Sequence, residues 1–154
     1  MDLSKLTNGD KILGGSAIAL VVVLVFLPWQ SRRVDGYRRS FTYSHRAIEA
    51  PNGWLGVLAL LLVLAILTIT ILRRFTDVDL PAPPRPWGEV TWIAAQGVVA
   101  LLLLKVIFGT EDLGLGCYLA ILLAGAMVYG AFLDKDELDD APVGSSGGPP
   151  PTPF

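Results

Sequence analysis

The chain has one cysteine and one histidine among its 154 residues, and that scarcity sets the first limits. A single thiol rules out an internal disulfide and a zinc site of the four-cysteine type. Acid–base or nucleophilic catalysis needs positioned partners, and His45 stands between Ser44 and Arg46 in a polar stretch, where a solvated side chain is the plain expectation. Cys117 lies in an apolar run and reads as a small hydrophobe. No glycine-rich loop follows a strand pattern, so a nucleotide-binding fold has no support. The expectation is a non-enzymatic protein with no cofactor and no metal.

Charge is scarce too. Lys, Arg, Asp and Glu make up 17% of the residues, against about 25% in ordinary soluble domains. These charges gather in short polar stretches, and between them lie four apolar runs, Ile12–Trp29, Trp54–Leu72, Val90–Phe108 and Leu113–Leu133, of 18 to 21 residues each. At about 1.5 Å rise per residue, a helix of that length spans roughly 27–31 Å, which matches a hydrocarbon core about 30 Å thick. The second run holds thirteen Leu, Ile or Val side chains and no charge, favouring insertion by about 4 to 8 kcal/mol. The third run carries Lys105, whose cost of up to about 3 kcal/mol is outweighed by its apolar neighbours and relieved if the amine reaches the headgroups. None of the runs has the polar face of a soluble helix.

These features predict an all-α integral membrane protein, a four-transmembrane-helix bundle over residues 1–133 followed by a disordered tail over 134–154. The tail is first acidic, from Asp134 to Asp140, and then rich in Gly, Ser and Pro, a composition that buries too little apolar area to offset ordering entropy. The first run resembles a signal peptide in having Lys5 and Lys11 before it. Its small-x-small tripeptide, Ala17-Ile18-Ala19, lies inside the hydrophobic stretch, so a retained helix is expected. Trp29, Trp54, Trp87 and Trp92 fall at or near the ends of the runs, as indoles at membrane interfaces do.

The first loop, Gln30–Gly53, is the longest and contains Arg32, Arg33, Arg38, Arg39 and Arg46. Asp35-Gly36 is a two-residue hairpin signal, and Phe41 and Tyr43 alternate with polar neighbours, so a small β-hairpin is predicted here. The arginines, interleaved with aromatics, suit anionic lipid headgroups or an acidic partner surface. The second loop, Arg73–Gly88, is proline-rich and predicts an extended connection. The third, around Glu111-Asp112, is short enough to make helices three and four an antiparallel pair.

Inside the runs, Asp, Glu and His are missing, which argues against a pump or proton relay. Gln96 and Lys105 are the polar interior residues. Nine positions at about 100° each set them on opposite sides of one helix, so they do not line one pore. Gln96 is expected to bond a neighbouring helix through Thr68 or Thr70, and Lys105 to snorkel toward Glu111 or Asp112. For helix packing, Gly116, Ala120, Ala124, Ala126 and Gly130 form small-residue stripes on helix four. Gly15 and Ala19 do the same on helix one, and Gly15/Ala19 against Ala126/Gly130 is the predicted contact.

Four crossings place both termini on one side, yet the Lys and Arg count is six on that side against five in the first loop plus Lys105, which fixes no orientation. The opening stretch Leu3-Ser-Lys-Leu-Thr-Asn-Gly-Asp-Lys-Ile-Leu-Gly-Gly, with an apolar helix ending Phe26-Leu27-Pro28-Trp29, resembles a group of small, functionally uncharacterised four-helix membrane proteins of high-GC Gram-positive bacteria. The likeness covers about the first thirty residues by motif; beyond them it is architectural. It implies a plasma-membrane protein with cytoplasmic termini and an exported first loop, and it carries over no activity or functional residues. The expected partners are the lipid bilayer, anionic headgroups, and other membrane proteins or further copies of the chain; nucleic acid is not expected. The functional expectation is an accessory or scaffolding component of a larger assembly, the alternative being a small-molecule or ion pathway formed by oligomerisation.

Overall fold

The structure, a computed structural model, describes residues 6–35, 40–49, 52–76, 85–109 and 113–139. Four helices and one two-stranded sheet account for most of them: α1 (Asn8–Phe26), β1 (Pro28–Asp35), β2 (Ser40–Arg46), α2 (Gly53–Phe75), α3 (Trp87–Phe108) and α4 (Leu115–Asp139). Each helix is long and apolar enough to cross a membrane.

Local chemistry explains the helix ends and corrects several expected boundaries. α1 starts four residues earlier than the apolar run, because Thr7 and Asp10 form a capping box. The Thr7 hydroxyl accepts from the Asp10 amide at 3.1 Å, and the Asp10 carboxylate accepts from the Thr7 amide at 3.1 Å, satisfying donors that the helix leaves open. It stops at Phe26 because Pro28 biases Leu27 toward extended backbone, and Leu27 has ψ 146°. Trp29 therefore leaves the helix and enters β1. α2 is entered through Asn52, whose φ of 56° is left-handed, a conformation Asn tolerates. α3 follows Pro86. α4 runs six residues past the end of its apolar run, so the acidic segment expected to begin the disordered tail is helical as far as Asp139. Residues 140–154 lie outside the described residues, as do the prolines of the second loop from 81 to 84 and the Glu111-Asp112 connection.

Burial repeats at alternating steps of three and four on every helix. On α1 the inward positions are Asp10, Leu13, Ala17, Leu20 and Leu24; on α3 they are Thr91, Ala95, Val98, Leu102 and Lys105. On α4 they are Cys117, Ala120, Ala124, Met127, Ala131 and Asp134. This is the heptad spacing of near-antiparallel bundle packing. The helices form a ring in which α1 packs on α4 and α2, and α3 on α2 and α4. The α1–α4 contact is the tightest part of that ring. A Cβ on Gly130 would come within 2.5 Å of the Leu13 amide nitrogen, and one on Gly9 within 2.7 Å of the Asp134 nitrogen, so the two backbones meet where neither residue has a side chain.

Helices one and four thus pack together as expected, with Gly116, Ala120, Ala124 and Gly130 buried and Ala126 half-buried, but the partners on helix one differ. Gly15 is exposed with nothing near it, and Ala19 is only partly covered. The seam passes instead through Gly9, which the later expected start had left outside the helix.

The hairpin pairs antiparallel with Asp35 opposite Ser40. Asp35 is thus a paired strand residue, so Asp35-Gly36 is not a two-residue turn, and residues 36–39 lie outside the described residues. The pairing of Asp35 itself accounts for the difference, since strand β1 runs through Val34 and ends on the Asp. Phe41 and Tyr43 are both exposed, two positions apart and on one face of β2.

Candidate functional site

Polar groups collect at the two ends of the bundle and at one point on its outer surface. At the end where α1 begins, Asp10, Arg73, Arg74 and Asp134 join three helices. Arg74 Nη2 donates to Asp134 Oδ1 at 2.7 Å, and Arg73 Nη1 stands 3.5 Å from Asp134 Oδ2. Arg74 Nε also lies 2.8 Å from Asp10 Oδ2, a charge contact whose N–H does not line up on the carboxylate. Both carboxylates are buried, Asp10 3% and Asp134 1% exposed. The two guanidiniums reach them from the last turn of α2, where the helix dipole favours cations. Two negative charges meet two positive ones, so the cluster is neutral and its Coulomb gain opposes the desolvation cost.

None of these four residues was singled out as a site from the sequence. Arg73 and Arg74 entered only the Lys and Arg count, Asp10 only the opening motif, and Asp134 the acidic start of the tail. Two signals were present: Thr7-x-x-Asp10 is a capping-box spacing, and the α4 heptad 120-124-127-131 extended by three lands on Asp134. Nearby, Lys135 Nζ sits 5.0 Å from the centroid of the Trp92 ring, a cation–π contact between α4 and the start of α3.

At the opposite end Lys105 points inward. It is 3% exposed and its Nζ donates to the Asn52 carbonyl oxygen at 3.1 Å, while standing 5.7 Å from the centroid of the Trp29 ring. The heptad turns position 105 onto the seam, and Glu111 and Asp112, toward which the amine was expected to snorkel, lie outside the described residues. The Trp29 ring is buried as well, at 2% exposed. Its Nε1 has no hydrogen-bond partner among the described residues. The hairpin is fastened here through main-chain groups. The Gly114 amide donates to the Trp29 carbonyl at 2.7 Å, and Gln30 Nε2 donates to the Gly109 carbonyl at 3.1 Å. Glycines again mark the close approaches, since a Cβ on Gly56 would collide with the Ala47 carbonyl and one on Gly116 would lie 2.7 Å from that of Pro28.

Of the candidate lipid or partner contacts, Arg32 is exposed opposite Tyr43 on the hairpin, and Arg46 is exposed with its Nη1 3.8 Å from Glu49. Arg33 belongs to β1 by its backbone; its side chain, and the whole of Arg38 and Arg39, lie outside the described residues. His45 is exposed on β2, and Cys117 is buried in the seam.

Gln96 faces outward, on the side of α3 away from Lys105 as the helical arc requires. It does not meet Thr68 or Thr70. Those hydroxyls donate to carbonyls of their own helix, at Leu64 and Ile66, over 2.8 and 2.9 Å. Gln96 lines an open groove of about 380 Å³ between α3 and α4, with Val99, Ala100, Leu103, Gly125 and Val128. Among the described residues no hydrogen bond reaches its carboxamide.

No family model, curated protein or solved structure matches this chain. No group of His, Cys, Asp and Glu among the described residues has the spacing to hold a metal ion.

Proposed function

We propose that this chain is a four-pass protein of the plasma membrane with both termini in the cytoplasm, acting as a non-enzymatic accessory or scaffolding component of a larger membrane or cell-envelope assembly. One observation supports the reading above others: the polarity of the bundle is inverted. Large apolar side chains such as Ile18, Leu61, Leu104 and Leu122 face outward, while Asp10, Asp134 and Lys105 face inward at the ends. An exposed apolar belt of that extent drives association in water, whereas hydrocarbon is its natural solvent and the helices satisfy their own backbone polarity. The exposed Arg32, Phe41 and Tyr43 give the hairpin an amphipathic surface suited to anionic headgroups or an acidic partner. The resemblance of the N-terminal stretch to the actinobacterial-type four-helix group supports the orientation.

Purification in mild detergent tests the role. Stoichiometric foreign subunits are expected; a pure preparation of this chain that passes ions or small molecules across liposomes would replace scaffolding with a pathway. Orientation is read by a Ser40→Cys variant in a Cys117→Ala background, which an impermeant thiol reagent should label in intact cells. Protection there would reverse the topology. Arg38→Gln with Arg39→Gln should weaken binding to anionic liposomes, and unchanged binding removes the lipid contact.

A further inference from the structure

Gln96 sits near the midpoint of α3, and so, on the membrane-embedded reading above, close to the centre of the hydrocarbon layer. A carboxamide offers two N–H donors and a carbonyl acceptor, and leaving them unpaired in an apolar medium is costly. Acyl chains can fill the groove beside Gln96 but supply no hydrogen bond. The occupant must bring polar atoms at the same depth, on a surface that fits an apolar groove.

A second copy of this chain meets both conditions. Every copy inserts with the same orientation, so its Gln96 arrives at the matching depth. The carboxamide is also self-complementary: each N–H donates to the other's carbonyl, closing a pair of hydrogen bonds across a two-fold axis. Ala100, one turn further along α3, and Gly125 on α4 are small and line the same groove; a Cβ on Gly125 would find nothing within 4 Å. A partner's helix can therefore approach closely there. We propose that the protein forms a parallel homodimer through the α3–α4 groove, pinned by a Gln96–Gln96 amide pair.

The test uses the full chain in its native membrane and in liposomes. In a Cys117→Ala background, Ala100→Cys is expected to give an oxidative cross-link at twice the chain's mass, and Leu61→Cys, exposed on α2, is expected to give none. Gln96→Leu should lower the dimer fraction in a lipid-dilution energy-transfer titration by about tenfold in apparent affinity, as loss of two interhelical hydrogen bonds implies, with the thermal unfolding of the monomer unchanged. Cross-linking at Leu61 and not at Ala100, an Ala100 product with a foreign protein alone, an unaltered titration for Gln96→Leu, or a chain monomeric at every dilution would each overturn the dimer. A chain extracted from membranes by alkaline carbonate would instead overturn the membrane reading beneath it, so the two failures are distinguishable.

Discussion

The two ends of the bundle are closed by different chemistry. Where the chain begins, side-chain charges tie α1, α2 and α4 together, with Arg74 shared between Asp10 and Asp134. Where the hairpin stands, the contacts among the described residues run to main-chain carbonyls, those of Asn52, Gly109 and Trp29, and the charge of Lys105 lies beside an aromatic face. A charge cluster binds strongly only while it is complete, since removing one member leaves the rest buried and unbalanced. Carbonyl contacts are individually weaker and fail singly. The end where α1 begins should therefore be the more fragile to a single substitution.

Asp134→Ala offers the most severe test of that contrast. It strips both guanidiniums of a buried carboxylate and should destabilise the bundle by about 3–5 kcal/mol, seen as a lowered midpoint when unfolding is followed by circular dichroism in detergent micelles. A loss no greater than that of Lys105→Met would abolish the distinction between the ends. Gly130→Ala comes next, at about 1–3 kcal/mol, because the new methyl overlaps the α1 backbone in a contact with no room to yield; its readout is the same melt, with wild-type stability arguing against the close crossing. Lys105→Met should cost about 1–2 kcal/mol through the lost carbonyl bond and the contact with Trp29, and tryptophan emission should shift as the ring's surroundings change.

Smaller effects sharpen the picture. Thr7→Ala removes the cap of α1 and should cost about 1 kcal/mol, with faster amide exchange confined to the first turn; exchange spreading to Arg74 would mean the cap and the charge cluster act as one unit. Gly15→Ala, with nothing within 4 Å, should stabilise by about 0.5–1 kcal/mol through helix propensity alone. Destabilisation there would show that the outer face of α1 is covered by something other than lipid.

Helix number, order and approximate length were legible in the sequence, because runs of uniform apolarity bounded by charge leave few other conformations. The hairpin was legible from alternation around Phe41 and Tyr43. The bounds were less so. Thr7 and Pro28 shift α1 toward the N-terminus by local hydrogen bonding and sterics that hydropathy does not register, and the acidic composition after Leu133 hid a helix that continues because Asp134 finds two arginines. The small-residue stripe on α4 was readable, yet its counterpart on α1 was not, since Gly15/Ala19 and Gly9 have equal claim until the helix start and its rotation are known. Among polar residues, the opposite facing of Gln96 and Lys105 followed from helical geometry. Which of them looks inward did not.

Composition and spacing alone determined that four helices form, that their surfaces are apolar and that charge is confined to their ends, since each of these follows from short-range physics along the chain. Tertiary structure decided which charges meet. Asp10, Arg74 and Asp134 are separated by long stretches of sequence and come together only when antiparallel helices are arranged in a ring, and the same arrangement turns Lys105 into the seam and leaves Gln96 on the outside. Pairing energy depends on distances between segments, and those distances exist only after the segments have packed.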